Sequence, residues 1–489
     1  MQKIDASVVL SPTDLANHLA CKHVSWLNYR AMLGGPRPSK EEDELSEILR
    51  QYGTEHEAAY FEALKTHLQT LNRNIVNLDS DRDQSAPYTV AALEERAKLT
   101  ADKLADGPDA VYQPTFFSQE NGIGWVGRAD FLVATDTPSQ LGNYSFEPED
   151  TKLARIAKVN AVLQLCSYAE HLTNMQGVEP EFIHVVTGSA KEGKVSIRLS
   201  EVSAYFRHVK EVLQNEVLNQ FAGHSEPVPV ENCTMCRWNK DCTRWWREHD
   251  HLSFVAGLQN GHREALNAHG IFTLKEFATS ADSLTVPDIE DEALHRLRRQ
   301  AQLQYTTRVN RELDADALPE TEFLLPLKDF RGFNLLPTPN PGDLFYDIEG
   351  HPYRTDEGLE YLHGFSWQEA DGSFQYKEIW AHTADQERQA LIEVLDFINE
   401  RRAMPGFEDM RVYHFGHYEP SALRRLATRY ATRETELNAL LRERVFCDLS
   451  RVVTQSMRIG VESYSIKKLE QLYNFDRTDL VSDGGLSIV

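Results

Sequence analysis

Gly127-Arg128-Ala129-Asp130-Phe131-Leu132-Val133 opens the stretch that decides the fold. Tyr144-Ser145-Phe146-Glu147-Pro148-Glu149-Asp150-Thr151-Lys152-Leu153 continues it. Val159-Asn160-Ala161-Val162-Leu163-Gln164-Leu165-Cys166-Ser167-Tyr168 closes it with a helical pattern. Asp130 stands at the start of a β-rich apolar run. Asp150 and Lys152 are two apart on an extended segment, so both side chains leave one face. If the two strands pair as a hairpin, Asp130 meets Asp150 and Lys152 at one end of the sheet. Two carboxylates converging with an ammonium suit a hard divalent metal and an activated water. Gln164 and Tyr168 lie one turn apart on one helix face.

An Asp-x-Lys pair alone is a common solvated strand edge. Asp130, then Asp150-x-Lys152, then Gln164-x-x-x-Tyr168, together resemble the PD-(D/E)XK nuclease superfamily in its RecB-like branch. That branch places an upstream His on a helix at the metal site, and Gly53-Thr54-Glu55-His56-Glu57 supplies His56. The resemblance covers residues 1–250. It implies that Asp130, Asp150 and His56 hold Mg²⁺ or Mn²⁺, that Lys152 orients the water and stabilises developing charge, and that Gln164 and Tyr168 position water or phosphate.

The 489 residues suit about three domains. Apolar residues at 41% and aromatics at 10% support packed cores. A net charge of −24 argues against general, charge-driven nucleic-acid binding, although metal-binding carboxylates contribute to it and a basic groove can be local. No apolar run approaches a membrane span, and Met1-Gln2-Lys3-Ile4-Asp5-Ala6-Ser7 lacks a signal-peptide core. A cytoplasmic protein without a membrane partner is expected.

Six cysteines in so long a chain are no disulfide scaffold. Cys233-x2-Cys236-x5-Cys242 is a tight cluster, Cys21 lies far upstream, and Cys166 and Cys447 read as small buried hydrophobes. Four thiolates suit a four-iron cluster or tetrahedral zinc. One distant N-terminal cysteine with three C-terminal ones resembles the iron–sulfur staple of AddB-like and CRISPR-associated RecB-like nucleases. That resemblance favours a 4Fe-4S cluster on Cys21, Cys233, Cys236 and Cys242, with Zn²⁺ the alternative. Nearby, Arg237, Trp238, Lys240, Arg244, Trp245, Trp246 and Arg247 interleave cations and rings. Such a run suits a single-strand DNA groove, with Arg237, Lys240, Arg244 and Trp245 as contacts. Equally, the tryptophans shield the cluster while the cations face water.

Ser11-Pro12-Thr13-Asp14 starts a helix that brings Cys21 to its far end. A long helix is predicted over 41–71 with His56 on its buried side. Single strands are predicted over Val111–Phe117 and Trp125–Val133, and helices over Leu93–Leu104, Ala154–Leu172 and Val202–Phe221. Residues 254–277 read as two short helices resembling a helix-hairpin-helix, or as a small packing domain. Ala293–Leu313 is a basic helix, ordinarily a solvated face. Leu335-Leu336-Pro337-Thr338-Pro339-Asn340-Pro341-Gly342 is the clearest linker.

Beyond it, Asp343-Leu344-Phe345-Tyr346-Asp347-Ile348-Glu349 is a strand whose alternation puts Asp347 and Glu349 on one face, ready to share a metal. With Glu419 and Asp448 downstream, the set resembles a DnaQ-like (RNase H-fold) exonuclease of the DEDD type. Glu419 replaces the Asp of the second motif, and Asp448 opens a helix. A fourth carboxylate would have to be Asp476, Asp479 or Asp483, none in the expected setting, and Gly484-Gly485 argues for a turn. This second metal site is therefore expected to be incomplete and inactive, the chain ending at Gly485-Leu486-Ser487-Ile488-Val489 in mid-fold. Related chains continue into a superfamily 1 helicase. No Gly-x-x-x-x-Gly-Lys-Ser/Thr loop occurs here.

The expected architecture is α/β. A PD-(D/E)XK restriction-endonuclease-like domain spans 1–250, a helical connector 251–335, and a partial RNase H-like domain 342–489. The expected activity is metal-dependent hydrolysis of DNA phosphodiester bonds, in repair, recombination or defence, on single strands or free ends. The rivals are a catalytically idle DNA-binding scaffold of a helicase–nuclease and an RNA-directed nuclease acting through the C-terminal domain.

Overall fold

The computed structural model describes residues 1–39, 44–79, 88–188, 193–325, 329–354, 357–473 and 475, with the side chains of 44–46 also outside the description. Asp476, Asp479, Asp483 and the Gly484–Gly485 pair lie outside the described residues. Contacts divide the chain into a first unit, Met1–Cys242, and a second from Thr243 onward. Residues 251–335 thus belong with the C-terminal part. Among the described residues no helix is long and apolar enough to cross a membrane.

The first unit holds two sheets. The smaller joins β1 (Gln2–Ile4), β2 (Ser7–Leu10), β5 (Thr115–Glu120) and β6 (Ile123–Arg128) in the order β1-β2-β6-β5. The larger contains β3 (Ile75–Asn77), β4 (Ala110–Tyr112), β7 (Phe131–Thr135), β8 (Ser145–Lys152), β9 (Phe182–Thr187) and β10 (Lys194–Arg198), ordered β10-β9-β8-β7-β4-β3. Two predicted single strands are each split between the sheets. Gln113, at φ 56, and Pro114 separate β4 from β5, because a left-handed residue before a ring lacking N–H cannot continue a ladder. Ala129 and Asp130 separate β6 from β7.

Helices α1 (Pro12–Ala20), α2 (Lys22–Met32), α3 (Glu44–Thr70), α4 (Val90–Ala105), α5 (Val159–Gln176) and α6 (Leu199–Leu218) enclose these sheets. Ser11 starts α1 as its composition predicts: its N–H and hydroxyl both donate to Asp14 Oδ2, at 2.9 and 2.8 Å. The predicted start of α5 is too early; the helix begins at Val159, after an irregular 153–158, and ends on left-handed Gly177. Helix α5 is buried nearly all round, with Leu163, Leu165, Tyr168, Ala169 and Leu172 in a core with Phe116, Trp125, Phe146 and Val185. Cys166 is in that core, as expected. Helix α7 (Asn239–Glu248) carries the chain across the boundary.

In the second unit α8 (Asn260–Ala268), α9 (Leu274–Ala278) and α10 (Asp291–Leu313) share a core of Leu252, Leu266, Phe277, Leu294 and Leu297. The basic helix is not wholly solvated. Arg298 is buried, donating to Ser280 O at 2.7 Å and pairing with Asp282.

After β11 (Thr321–Phe323) comes a five-stranded sheet of β12 (Leu344–His351), β13 (Leu359–Gln368), β14 (Phe374–Trp380), β15 (Val412–His414) and β16 (Phe446–Asp448). Its order is β14-β13-β12-β15-β16; β12, β13 and β14 run antiparallel, and β15 and β16 lie parallel to β12. Helices α11 (Ala384–Arg402), α12 (Tyr418–Tyr430) and α13 (Glu434–Arg442) cover the face carrying Leu344, Tyr346 and Ile348. Then come α14 (Leu449–Ser456), β17 (Met457–Ile459), which pairs with β11, and α15 (Ile466–Leu469). Cys447 is buried beneath this sheet's edge, again as expected.

Candidate functional site

Strands β7 and β8 pair antiparallel with Phe131 opposite Glu149, so Asp130 falls beside the Asp150–Lys152 end. Asp130 Oδ2 accepts from the N–H and the hydroxyl of Thr151, at 2.8 and 2.7 Å. These bonds fix its carboxylate against β8. Asp150 is fully buried, and neither of its oxygens has a hydrogen-bond donor. Lys152 Nζ nonetheless stands in close ion-pair contact with its Oδ2. Burial, then the charge of Asp130, pushes the Asp150 carboxyl up to about 8, against a smaller downward pull from Lys152. Lys152 moves up too: burial opposes its charge, and Asp150, Asp130 and Glu57 more than reverse that.

Helix α3 brings a third carboxylate. Its inward stripe is two residues wide, so His56 and Glu57 are both half-buried, whereas Ala59 is exposed. Glu57 Oε1 accepts from Tyr112 Oη at 2.9 Å and from Gln113 Nε2. Burial and the nearby Asp130 raise its pKa. His56 Nε2 is buried without a partner. The sequence reading passed over Glu57; its signal was its place beside His56 on the stripe with Tyr60, Phe61, Leu64 and Leu68. One turn on, Tyr60 Oη donates to buried Glu149, which also pairs with Lys194. That contact anchors α3 to β8.

Helix α5 supplies the other predicted pair. Gln164 Nε2 donates to Tyr168 Oη at 2.7 Å, and burial with the charge of Asp150 raises the Tyr168 pKa well above its ordinary value. A Cβ on Gly127 would lie 3.0 Å from the Tyr168 ring, so this glycine admits the close approach.

Glu57, Asp130 and Asp150 against Lys152 make a cluster of formal charge −2. Oxygen donors, two of them buried and unsatisfied on Asp150, and the unpartnered His56 nitrogen fit a hard divalent cation. Among the described residues no group of three or more His, Cys, Asp or Glu side chains is placed to hold a metal ion as it stands.

Cys21, Cys233, Cys236 and Cys242 line one recess, walled by Val24, Leu27, Val228 and Trp238, and all four are free thiols. Cys21 is the residue between α1 and α2. Burial, then the neighbouring Cys236, Cys21 and Cys233, pushes the Cys242 thiol up to about 12. Burial and their neighbours oppose ionisation of Cys236 and Cys242, so the recess fits a cationic centre, which would favour the thiolates. Arg237 Nη2 and Trp238 Nε1 both donate to Asn28 Oδ1 on α2, at 2.6 and 2.9 Å. Trp238 and Trp246 are buried, so these parts of the basic run serve the fold. Lys240 is exposed and on α7, as is Arg244; Trp245 is half-buried and stacks on His249 at 4.0 Å.

In the second unit Asp347 is exposed and Glu349 half-buried on the face of β12 opposite its core, where burial and Asp347 raise Glu349. Glu419 is buried at the start of α12, 3.3 Å from His414 Nδ1. Asp448 Oδ1 accepts from the N–H groups of Ser450, Arg451 and Gly416, so it is a helix cap.

Residues 344–489 match the family RNase_H_2, described as RNase_H superfamily. This part of the chain is RNase H-like, a fold of nucleases and related hydrolases. A comparison of the chain with curated proteins gives no match.

Proposed function

We propose that the chain is a metal-dependent nuclease of the RecB-like PD-(D/E)XK type, hydrolysing DNA phosphodiester bonds at the first-unit site. The observation that carries this reading is the buried, unsatisfied Asp150 beside Asp130 and Lys152 at one sheet end. Groups this costly to bury are the ordinary mark of a site that receives a cation.

Asp130, Asp150 and His56 would hold Mg²⁺ or Mn²⁺, which supplies Lewis-acid chemistry and a more acidic bound water. Lys152, kept charged by three carboxyls, cannot act as a base. Its ammonium orients water towards phosphorus and neutralises charge growing on the phosphate oxygens. Water oxygen forms the new P–O bond and releases its proton to solvent, the scissile P–O bond breaks, and the leaving oxygen takes a proton from solvent. The bond from Gln164 leaves the Tyr168 hydroxyl proton free for the same anionic region. Cys21, Cys233, Cys236 and Cys242 would hold a 4Fe-4S cluster, with Zn²⁺ as the alternative. Its place would be to staple the two ends of this unit together.

A second reading rests on the RNase_H superfamily match: cleavage, including of RNA, through Asp347 and Glu349. End-labelled single-stranded DNA, duplex DNA and RNA, digested with Mg²⁺ or Mn²⁺ by wild type, Lys152→Ala and Asp347→Ala, separate the two. DNA cleavage lost in Lys152→Ala and kept in Asp347→Ala is expected. The reverse pattern assigns the activity to the C-terminal domain, and no cleavage by any protein supports an idle scaffold.

A further inference from the structure

We infer that Glu57 is a further metal-binding carboxylate of the first-unit site, positioned by Gln113. The inference rests on reading Asp130 and Asp150 as a metal site, and adds a residue to it. Gln113 stands where β4 ends, in the left-handed conformation at φ 56, which is strained for a non-glycine residue. That conformation lets one residue hold two others. Its backbone N–H donates to Asp130 O at 2.8 Å, while its side-chain Nε2 donates to Glu57 Oε1. Tyr112, the residue before it, donates through Oη to the same Glu57 oxygen at 2.9 Å. Two donors thus fix one carboxylate oxygen of Glu57 and tie it to the backbone that presents Asp130. Among the described residues nothing donates to the second oxygen, Oε2. A carboxylate pinned at one oxygen and open at the other is the arrangement of a supported ligand.

A purely structural role is the rival, with Glu57 serving to bond α3 to the sheet. Glu57→Gln separates the two, because its amide oxygen still accepts from Tyr112 and Gln113 while the negative charge is gone. Mn²⁺ binding would be followed by electron paramagnetic resonance and by the rise in Tm on adding Mn²⁺, with single-stranded DNA cleavage measured in parallel. We expect Glu57→Gln to fold and to weaken Mn²⁺ binding roughly tenfold to a hundredfold. Gln113→Gly, which relieves the left-handed strain yet removes the amide clamp, should weaken it in the same direction by less. Asp150→Asn is the reference. Unchanged Mn²⁺ affinity in folded Glu57→Gln, with affinity lost in Asp150→Asn, overturns the role of Glu57 alone. Unchanged affinity in both overturns the metal site itself.

Discussion

Replacing Asp150 by asparagine should stabilise the metal-free protein. The native carboxyl is fully buried and its pKa rises from 3.8 to about 8, chiefly through burial and Asp130. A carboxyl raised on folding contributes its full stability below the unfolded value, and loses it as pH climbs through the folded one. At pH 7 the native state must keep a proton that the unfolded chain has released, which costs about 4 kcal/mol; at pH 5 the same difference is about 2 kcal/mol. Asparagine removes this cost. Lys152 loses a partner in exchange, but its side chain is 34% exposed, so that loss is about 1 kcal/mol. The net gain at pH 7 is about 3 kcal/mol, or roughly 6–12 °C in the Tm of the first unit. Differential scanning calorimetry in chelator, from pH 5 to 8, should show the gap between variant and wild type widening with pH. Saturating Mn²⁺ should close it, because an ion at a hundred times its Kd returns about 2.7 kcal/mol to wild type alone. A variant less stable than wild type at pH 8 in chelator, or a gap that narrows as pH rises, would refute the reasoning.

Protein purified anaerobically should be brown and contain iron, and Cys21→Ser should lose the chromophore and lower the first unit's Tm, since that residue closes a loop to Cys233 across nearly the whole unit; stoichiometric zinc without iron would assign a zinc site instead. His363 is fully buried, Nδ1 is hydrogen-bonded to Tyr346 Oη at 2.8 Å, and burial lowers its pKa to about 4. Its neutral form is stable above the unfolded value of 6.5, and stability falls as pH drops below that, by about 2 kcal/mol at pH 5. Urea titrations at pH 7 and pH 5 should show a loss of at least this size in the second unit, where half-buried His251 acts in the same direction, and His363→Asn should reduce it by about 2 kcal/mol.

The parts legible in the sequence follow short periods. Alternation by two put Asp150 with Lys152 and Asp347 with Glu349, and spacing by four paired Gln164 with Tyr168. Those relations are fixed by backbone geometry within one element. What escaped depends on where one element meets another. Residues 111–117 and 125–133 read as unbroken strands because apolar alternation runs through both. The breaks come from one left-handed residue at Gln113 and from the turn at Asp130, where the chain passes between sheets. His56 and Glu57 differ by 100° around α3, and only the partner strand shows that both belong to its inward stripe. The basic run after Cys236 was ambiguous for the same reason. Asn28, two hundred residues away in sequence, claims Arg237 and Trp238.

The two carboxylate groupings of this chain carry different physical burdens. Asp347 and Glu349 sit on a strand face open to water, where two acids side by side cost little. Glu419 has turned into the core beside His414, and Asp448 is committed to three backbone N–H groups. Glu419 Oε2 and His414 Nδ1 are nonetheless buried without a hydrogen-bond partner, so this unit carries a similar cost at one carboxyl. In the first unit, Asp150 is buried without a donor, Glu57 is raised by its neighbour, His56 Nε2 lacks a partner, and Gln113 is held left-handed. Asp150, Glu57 and Gln113 gather at one sheet end, and each departure costs about one to several kcal/mol. Concentrated cost of this kind is expected where a ligand later supplies the missing interaction, and a bound cation would offset the burial of Asp150 and Glu57 together.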